Sequence, residues 1–404
     1  MKVLNIYSGN ANAQTGIGTV LHTLNNDYWN KNNIEYDTLS LDNISDNVSK
    51  ENKKKSTKKI LLSKGRLIWW QLAEKNIFFS ISYIRVLYLN RAKKLVINNI
   101  ETIKSSDVIL VNDLWTILIL FEYYPELLSK CCYINHSDGE LAGFIKKIFN
   151  PIDGSKFFND INNKLTSALS LINHLVVLSE VAKSRVMEQY SFLCIDDITV
   201  IYNGFKESKV KENYIDTDSI KLHVAGTLCS RKRQYLLIPI MKKLQEENVE
   251  LNIYGNGPDF DFLNKKIQVE NLNKIIKLKG YKNAPYKDYS FGDIFILLSE
   301  KEGFPMAAVE ATSVGCSLIL TNAGGAKELI DKTSGFLIDS NDNDIIINEV
   351  VNIIHKILKQ KDNRFNLAYN AINGYKNNFT DEIMTNCYIN LSRSIYKNDK
   401  KQKL

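Results

Sequence analysis

Apolar residues in this chain gather into two alternating patterns. Short, nearly continuous runs occur at 3–7, 36–41, 108–111, 132–135, 175–178 and 198–202. A second set follows at 222–225, 251–254, 275–278, 294–298 and 318–321. Between them lie stretches such as 157–169, 180–189 and 234–244. In the first of these, Phe157, Ile161, Leu165, Ala168 and Leu169 recur at helical spacing. Strands separated by helices predict parallel sheets. Two successive sets predict an α/β fold with domains at 1–210 and 211–380, the join lying near the polar stretch 208–218. The last segment, 379–397, has helical spacing in Ile383, Tyr388, Leu391 and Ile395.

Length agrees with that division, because 404 residues exceed one compact core. Hydrophobic content of 44% with 24% charge is ordinary for a globular protein. The first residues read directly as a strand, with no apolar signal-peptide core. The stretch 77–89 is too short to span a bilayer, and Arg85 interrupts it. Cys131, Cys132, Cys194, Cys229, Cys316 and Cys387 form no CxxC pair. They read as small core residues in a reducing compartment, without zinc-ligand spacing.

Charge changes the picture locally. Residues 50–94 hold 13 Lys or Arg against two acids, whereas the whole chain carries only +7. The run Lys53-Lys54-Lys55-Ser56-Thr57-Lys58-Lys59 leads into Arg66-Leu67-Ile68-Trp69-Trp70, then Phe78, Phe79, Tyr83 and Tyr88. Basic residues interleaved with aromatics suit an anionic membrane surface. A solvated basic loop before a core-packed helix is the other reading. Nucleic acid is the weaker third, since no recognition motif accompanies the charge.

The most informative chemistry is Glu302-Gly303-Phe304-Pro305-Met306-Ala307-Ala308-Val309-Glu310-Ala311-Thr312, directly after the 294–298 run. Pro305 suits a first helical turn, and Gly315 suits the residue just past the helix end. Glu302 then sits in a loop at the carboxyl end of a strand, where open α/β sheets bind ligands. Glu310 lies about a turn and a half into a helix of small apolar residues. A carboxylate packed there needs a partner, which a vicinal diol such as a ribose could supply. The plain alternative is a Glu at the rim of a surface helix.

Glu-x7-Glu within Ser299-Glu300-Lys301-Glu302-Gly303-Phe304-Pro305 resembles the signature of family 4 retaining glycosyltransferases, which have the GT-B fold. The resemblance implies two Rossmann-like domains whose parallel sheets face an interdomain cleft. It places an acceptor domain first and a nucleotide-sugar domain second, with a final helix, 381–404, crossing back. It gives Glu302 a place near the donor sugar and Glu310 the ribose hydroxyls. Gly303, Phe304 and Pro305 belong to the same donor-binding segment.

Other segments match in part. Gln14-Thr15-Gly16-Ile17-Gly18-Thr19 reads alone as a tight strand-to-helix turn or an anion-binding loop; in the family, Gly16 and Gly18 lie near the donor phosphates. Ala225-Gly226-Thr227-Leu228-Cys229-Ser230-Arg231-Lys232-Arg233 is a basic turn at a strand end, and its cations could steady a departing diphosphate. Lys232 matches the family's lysine. Thr227 stands where Arg is common, Arg233 replaces a glycine, and Arg231 is the candidate substitute cation. Gly255 and Gly257 resemble the Gly-x-Gly-Pro turn, and Gly280-Tyr281 the segment that meets the base. A lone histidine is more often structural, but His136, in Asn135-His136-Ser137-Asp138, matches a family histidine near the donor sugar. His22, His174, His223 and His355 have no such match. Asp259-Phe260-Asp261 reads as incidental to a surface helix, so no metal is required.

The expected activity is retaining transfer of a sugar from a nucleotide sugar, UDP-linked by preference, to a hydroxyl acceptor. A lipid-linked glycan in bacterial surface polysaccharide or lipopolysaccharide assembly is the expected acceptor. Lys232 and His136 join Glu302 as the catalytic set. The expected location is the inner face of the cell membrane, peripherally. A weakly catalytic accessory subunit and a nucleotide-sugar epimerase are the alternatives.

Overall fold

A computed structural model describes residues 1–12, 15–41, 65–66, 68–172, 174–206, 208 and 219–402. The lysine run 53–59 and most of the 208–218 stretch lie outside these residues. The chain divides into two compact units. The first joins Met1–Ile201 to Thr385–Leu404, and the second is Tyr202–Met384. The division thus falls nine residues before the expected 210/211 boundary, and residues 385–404 group with the first unit.

In the first unit six strands form one parallel sheet: β1 (Lys2–Tyr7), β2 (Glu35–Ser40), β3 (Val108–Val111), β4 (Cys131–Asn135), β5 (His174–Val177) and β6 (Ile198–Val200). Their order is β2-β1-β3-β4-β5-β6. The second unit repeats the design with β7 (Ile220–Ala225), β8 (Val249–Tyr254), β9 (Ile276–Gly280), β10 (Ile294–Leu297), β11 (Ser317–Thr321) and β12 (Gly335–Ile338). Here the order is β12-β11-β10-β7-β8-β9, again all parallel. Parallel strands covered on both faces carry apolar residues without alternation. Accordingly β3, β4, β10 and β11 are buried at every position.

Helices supply the cover. Leu114–Tyr123 is buried from Leu114 to Leu120. Asn343–Lys359 instead buries one stripe, Ile346, Ile347, Val350, Val351, Ile354 and Ile357. The stretch expected as one helix over 234–244 begins as a tight turn, Gln234–Leu236, and becomes α-helical at Leu237–Lys243.

Strand β12 departs from expectation. The sequence Ser334-Gly335-Phe336-Leu337 reads as a turn, yet 335–338 pair in register with Leu318–Thr321. The strand lies at the sheet edge with Leu337 exposed, so it lacks the buried run that marks the others. The cysteines also divide. Cys131, Cys132 and Cys316 are buried, whereas Cys194 and Cys387 are exposed.

Residues 77–98 form Ile77–Ile84, a π-helical turn Arg85–Leu89, and Asn90–Asn98. Tyr83 is buried, and Trp69, Trp70, Phe79 and Tyr88 pack against the same core. Ile68, Leu72, Ile77 and Phe78 stay exposed, Phe78 by 73%. The larger aromatics therefore serve the core, while aliphatics and one phenylalanine face outward. Among the described residues, no helix is long and apolar enough to cross a membrane.

Candidate functional site

A doubly wound sheet opens a crevice where its connections diverge, at the carboxyl ends of the two strands flanking the switch. In the second sheet these strands are β7 and β10. The loop after β7 carries Arg231, Lys232 and Arg233, and the loop after β10 carries Glu300, Lys301 and Glu302. The Lys232 ammonium donates to Glu302 Oε1 at 2.5 Å, with the two side chains only 14% and 9% exposed. Arg231 Nη1 donates to the Lys301 carbonyl at 2.6 Å and lies 3.9 Å from Glu302 Oε1. Glu300 N–H donates to the Arg231 carbonyl at 2.9 Å, fastening one loop to the other. Three of the sequence candidates thus converge on one point. Thr227 is exposed, and Arg231 stands beside Glu302.

Arg233 explains the glycine that it replaces. Its backbone is left-handed, at φ 51°, a region that disfavours side chains. Its guanidinium is buried, with Nε donating to Glu300 Oε1 at 3.1 Å and Nη2 to the Asn341 carbonyl at 3.4 Å. The backbone strain is offset by a strut that holds Glu300, two residues from Glu302.

Glu310 lies in the helix Met306–Thr312. Pro305 occupies the N-cap, one place before the helix, and the helix ends at Thr312, three residues before Gly315. Ala308, Val309 and Ala311 are fully buried, so the helix packs closely on the sheet. The half-buried Glu310 carboxylate makes no hydrogen bond among the described residues. Burial pushes its pKa up to about 7. A carboxyl near neutrality and without a partner has capacity to accept hydrogen bonds.

The remaining second-unit candidates have identifiable structural parts. Gly255, at φ 137°, lies against the Gly226 carbonyl, and Gly257 against the Leu228 backbone, where no side chain fits. The β8–β9 register shifts between Ile253 and Tyr254, which leaves Tyr254 opposite Gly280. Gly255 N–H then donates to the Gly280 carbonyl at 2.8 Å. Tyr281 is exposed beyond this bulge. Gly303 accepts from Gly325 N–H at 3.2 Å. Phe304 is buried against Tyr202 and Phe379, so its ring is a packing residue.

In the first unit, Gly16 opens the helix Gly16–Leu24, and Thr15 caps it by accepting from Gly18 N–H at 3.2 Å. His136 follows β4, half-buried, with Nε2 at 2.9 Å from Asn112 Oδ1. Burial pushes its imidazole down to about 4, so the ring is neutral at physiological pH. The sequence reading passed over Asn112 and Asp113, which follow β3 just as His136 follows β4. Half-buried Asp113 accepts from Ser8 N–H at 2.7 Å, Ser8 Oγ at 2.8 Å and Thr116 N–H at 2.9 Å. It caps one helix and pins the end of β1. Among the described residues, no group of three or more His, Cys, Asp or Glu is placed to hold a metal ion.

Two parallel doubly wound units define the class, which is GT-B, and the solved structures with this architecture are GT-B glycosyltransferases. Sucrose-phosphate synthase from Thermosynechococcus elongatus superposes with a TM-score of 0.69 over 98% of this chain and 99% of its own, at 14% identity. HepE from Anabaena, in complex with UDP, gives 0.65 over 98% and 100%, at 15% identity. In sequence, residues 205–374 match the family described as Glycosyl transferases group 1. The chain is 28% identical over 194 residues to the capsular polysaccharide biosynthesis glycosyltransferase CapH of Staphylococcus aureus, covering 47% of this chain and 53% of CapH. It is 22% identical over 240 residues to N-acetyl-alpha-D-glucosaminyl L-malate synthase of Bacillus anthracis, covering 56% and 62%. To the O-antigen biosynthesis glycosyltransferase WbnH of Escherichia coli it is 32% identical over 126 residues, covering 31% and 35%. The chain thus spans between about a third and three fifths of these relatives' lengths.

Proposed function

We propose that the protein is a retaining glycosyltransferase that moves a sugar from a UDP-linked donor to a hydroxyl of a lipid-linked glycan in bacterial surface polysaccharide assembly. The observation that carries this reading is Glu310, a half-buried carboxylate with no hydrogen-bond partner among the described residues, at the ligand-binding edge of the second sheet. A ribose diol supplies two donors to one carboxylate. Glu302 then takes sugar hydroxyls, and Lys232 with Arg231 turns from Glu302 towards the diphosphate. Gly255, Gly280 and Tyr281 line the base.

In a front-face reaction the anomeric carbon–diphosphate bond breaks as the bond to the acceptor oxygen forms on the same face. The acceptor proton passes to the leaving diphosphate oxygen, whose charge Lys232 and Arg231 stabilise. No metal is needed, because the two cations do that work. Exposed Ile68, Leu72, Ile77 and Phe78, in a segment that also carries Arg66, Lys75, Lys93 and Lys94, support a peripheral place on an anionic membrane.

The test is thermal stability across UDP-, GDP-, ADP- and dTDP-sugars, since a ligand that binds only the folded state raises the melting point. A selective rise that vanishes in Glu310→Ala supports the donor site. No rise from any donor sinks it and favours an accessory subunit, the reading that exposed Thr227 keeps in play. Turnover of the donor sugar to its epimer without an acceptor would instead favour the epimerase.

A further inference from the structure

The first sheet has its own switch point, between β1 and β3, and there a buried line of side chains leads to His136. Asn112 N–H and Asn112 Nδ2 both donate to the Ile6 carbonyl, at 2.9 and 3.2 Å. A carbonyl oxygen only accepts, so the amide nitrogen of Asn112 must face Ile6. Its Oδ1 therefore faces His136, and Oδ1 likewise only accepts. His136 Nε2, 2.9 Å away, must carry the hydrogen. The same amide orientation lets Asn112 Nδ2 donate to Asn5 Oδ1 as well. The Asn5 amide nitrogen in turn donates to Tyr36 Oη at 2.7 Å, on a ring stacked against Trp29. Asn5 and Asn112 are almost wholly buried, so water does not compete for these bonds.

We infer that Asn112 is a positioning residue that locks His136 as its Nε2–H tautomer, leaving Nδ1 as a lone-pair acceptor for a substrate hydroxyl. Nδ1 has no partner among the described residues. A neutral ring with one committed nitrogen acts neither as a general acid nor as a counter-charge to phosphate; what it takes is an O–H donor. The hydrogen bonds fix the Nε2–H, the burial of the ring keeps Nδ1 bare, and the hydroxyl as ligand rests on the transferase reading.

The experiment uses the full chain with ¹⁵N in its histidine rings, read by long-range ¹H–¹⁵N correlation at pH 7, with His136→Gln to identify the signals. The expected spectrum shows a protonated Nε2 and an unprotonated Nδ1. A protonated Nδ1, or an imidazolium, overturns the inference, and the spectrum that decides it is that of the unsubstituted chain. Asn112→Leu should give mixed tautomers and a roughly tenfold lower kcat/KM, about one hydrogen bond. A folded Asn112→Leu that keeps a single Nε2–H tautomer also overturns it, since a merely structural Asn112 would shift the melting point alone. If the tautomer is as stated and no nucleotide sugar binds, the functional reading falls and the assignment of Asn112 stands.

Discussion

Both sheets are parallel and doubly wound, though their strand orders differ, and they treat their switch points in opposite ways. Between β7 and β10 the second unit places charge: Lys232 on Glu302, Arg231 beside them and Arg233 on Glu300. Between β1 and β3 the first unit places amides and an uncharged ring, Asn5, Asn112 and His136, beside an Asp113 carboxylate already committed to Ser8 and Thr116. The fold dictates where a crevice opens, and the residues at the strand ends dictate what chemistry fills it. A charged crevice suits a diphosphate; a neutral, hydrogen-bonded one suits hydroxyls.

The contrast breaks most completely at Lys232. Lys232→Ala strands a nearly buried Glu302 carboxylate, so transfer should fall at least ~100-fold. The fold should lose on the order of 3 kcal/mol, measured by denaturant unfolding. Replacing Asn112 with Leu costs far less, which is the asymmetry expected between a charged and a neutral crevice.

Glu310 sharpens the comparison through pH. Its folded pKa, about 7, stands above the ordinary 4.5, so the folded chain holds an extra proton between those values. Stability from this group is therefore present at low pH and declines as pH rises through that window. Glu310→Gln should raise the ligand-free unfolding free energy at pH 8 by up to about 3 kcal/mol while abolishing donor binding. Donor affinity in the native protein should run the other way. If the charged carboxylate accepts the diol as proposed, affinity by calorimetry should weaken roughly tenfold from pH 7.5 to pH 6.

Arg233 gives a smaller effect. Arg233→Gly and Arg233→Ala both remove the strut, but only glycine suits φ 51°. The glycine variant should be the more stable by about 1 kcal/mol in urea unfolding. Smallest in stability is Phe78→Ser, expected within ~0.5 kcal/mol of the parent because the ring is exposed. It should nonetheless weaken sedimentation with anionic vesicles, whereas unchanged sedimentation would count against the membrane contact.

Much of this was legible in the chain, for reasons that also mark the limits. Buried parallel strands such as 108–111 and 294–298 announce themselves because nothing polar interrupts them. Edge strand β12 does not, being half exposed and led by glycine. The small residues around Glu310 foretold its packing. The Lys232–Glu302 pair was not readable as a contact, since it joins residues 70 positions apart. His136 was reached by resemblance, while its anchor Asn112 went unseen, because an asparagine after a strand reads as an ordinary loop residue. Nor does local periodicity reveal the π-turn, since apolar residues fill 77–89 on every side.

That turn has a bearing on register. A π-turn holds one residue more than an α-turn in the same arc. Winding the whole of Ile77–Asn98 as a regular α-helix with every residue kept would rotate one half by about 100° against the other. Tyr83, now inward beside Trp70 and Phe149, would then swing out of line with Leu95 and Val96. The surplus residue works as a gear tooth, keeping two inward faces in phase that an unbroken helix would set apart.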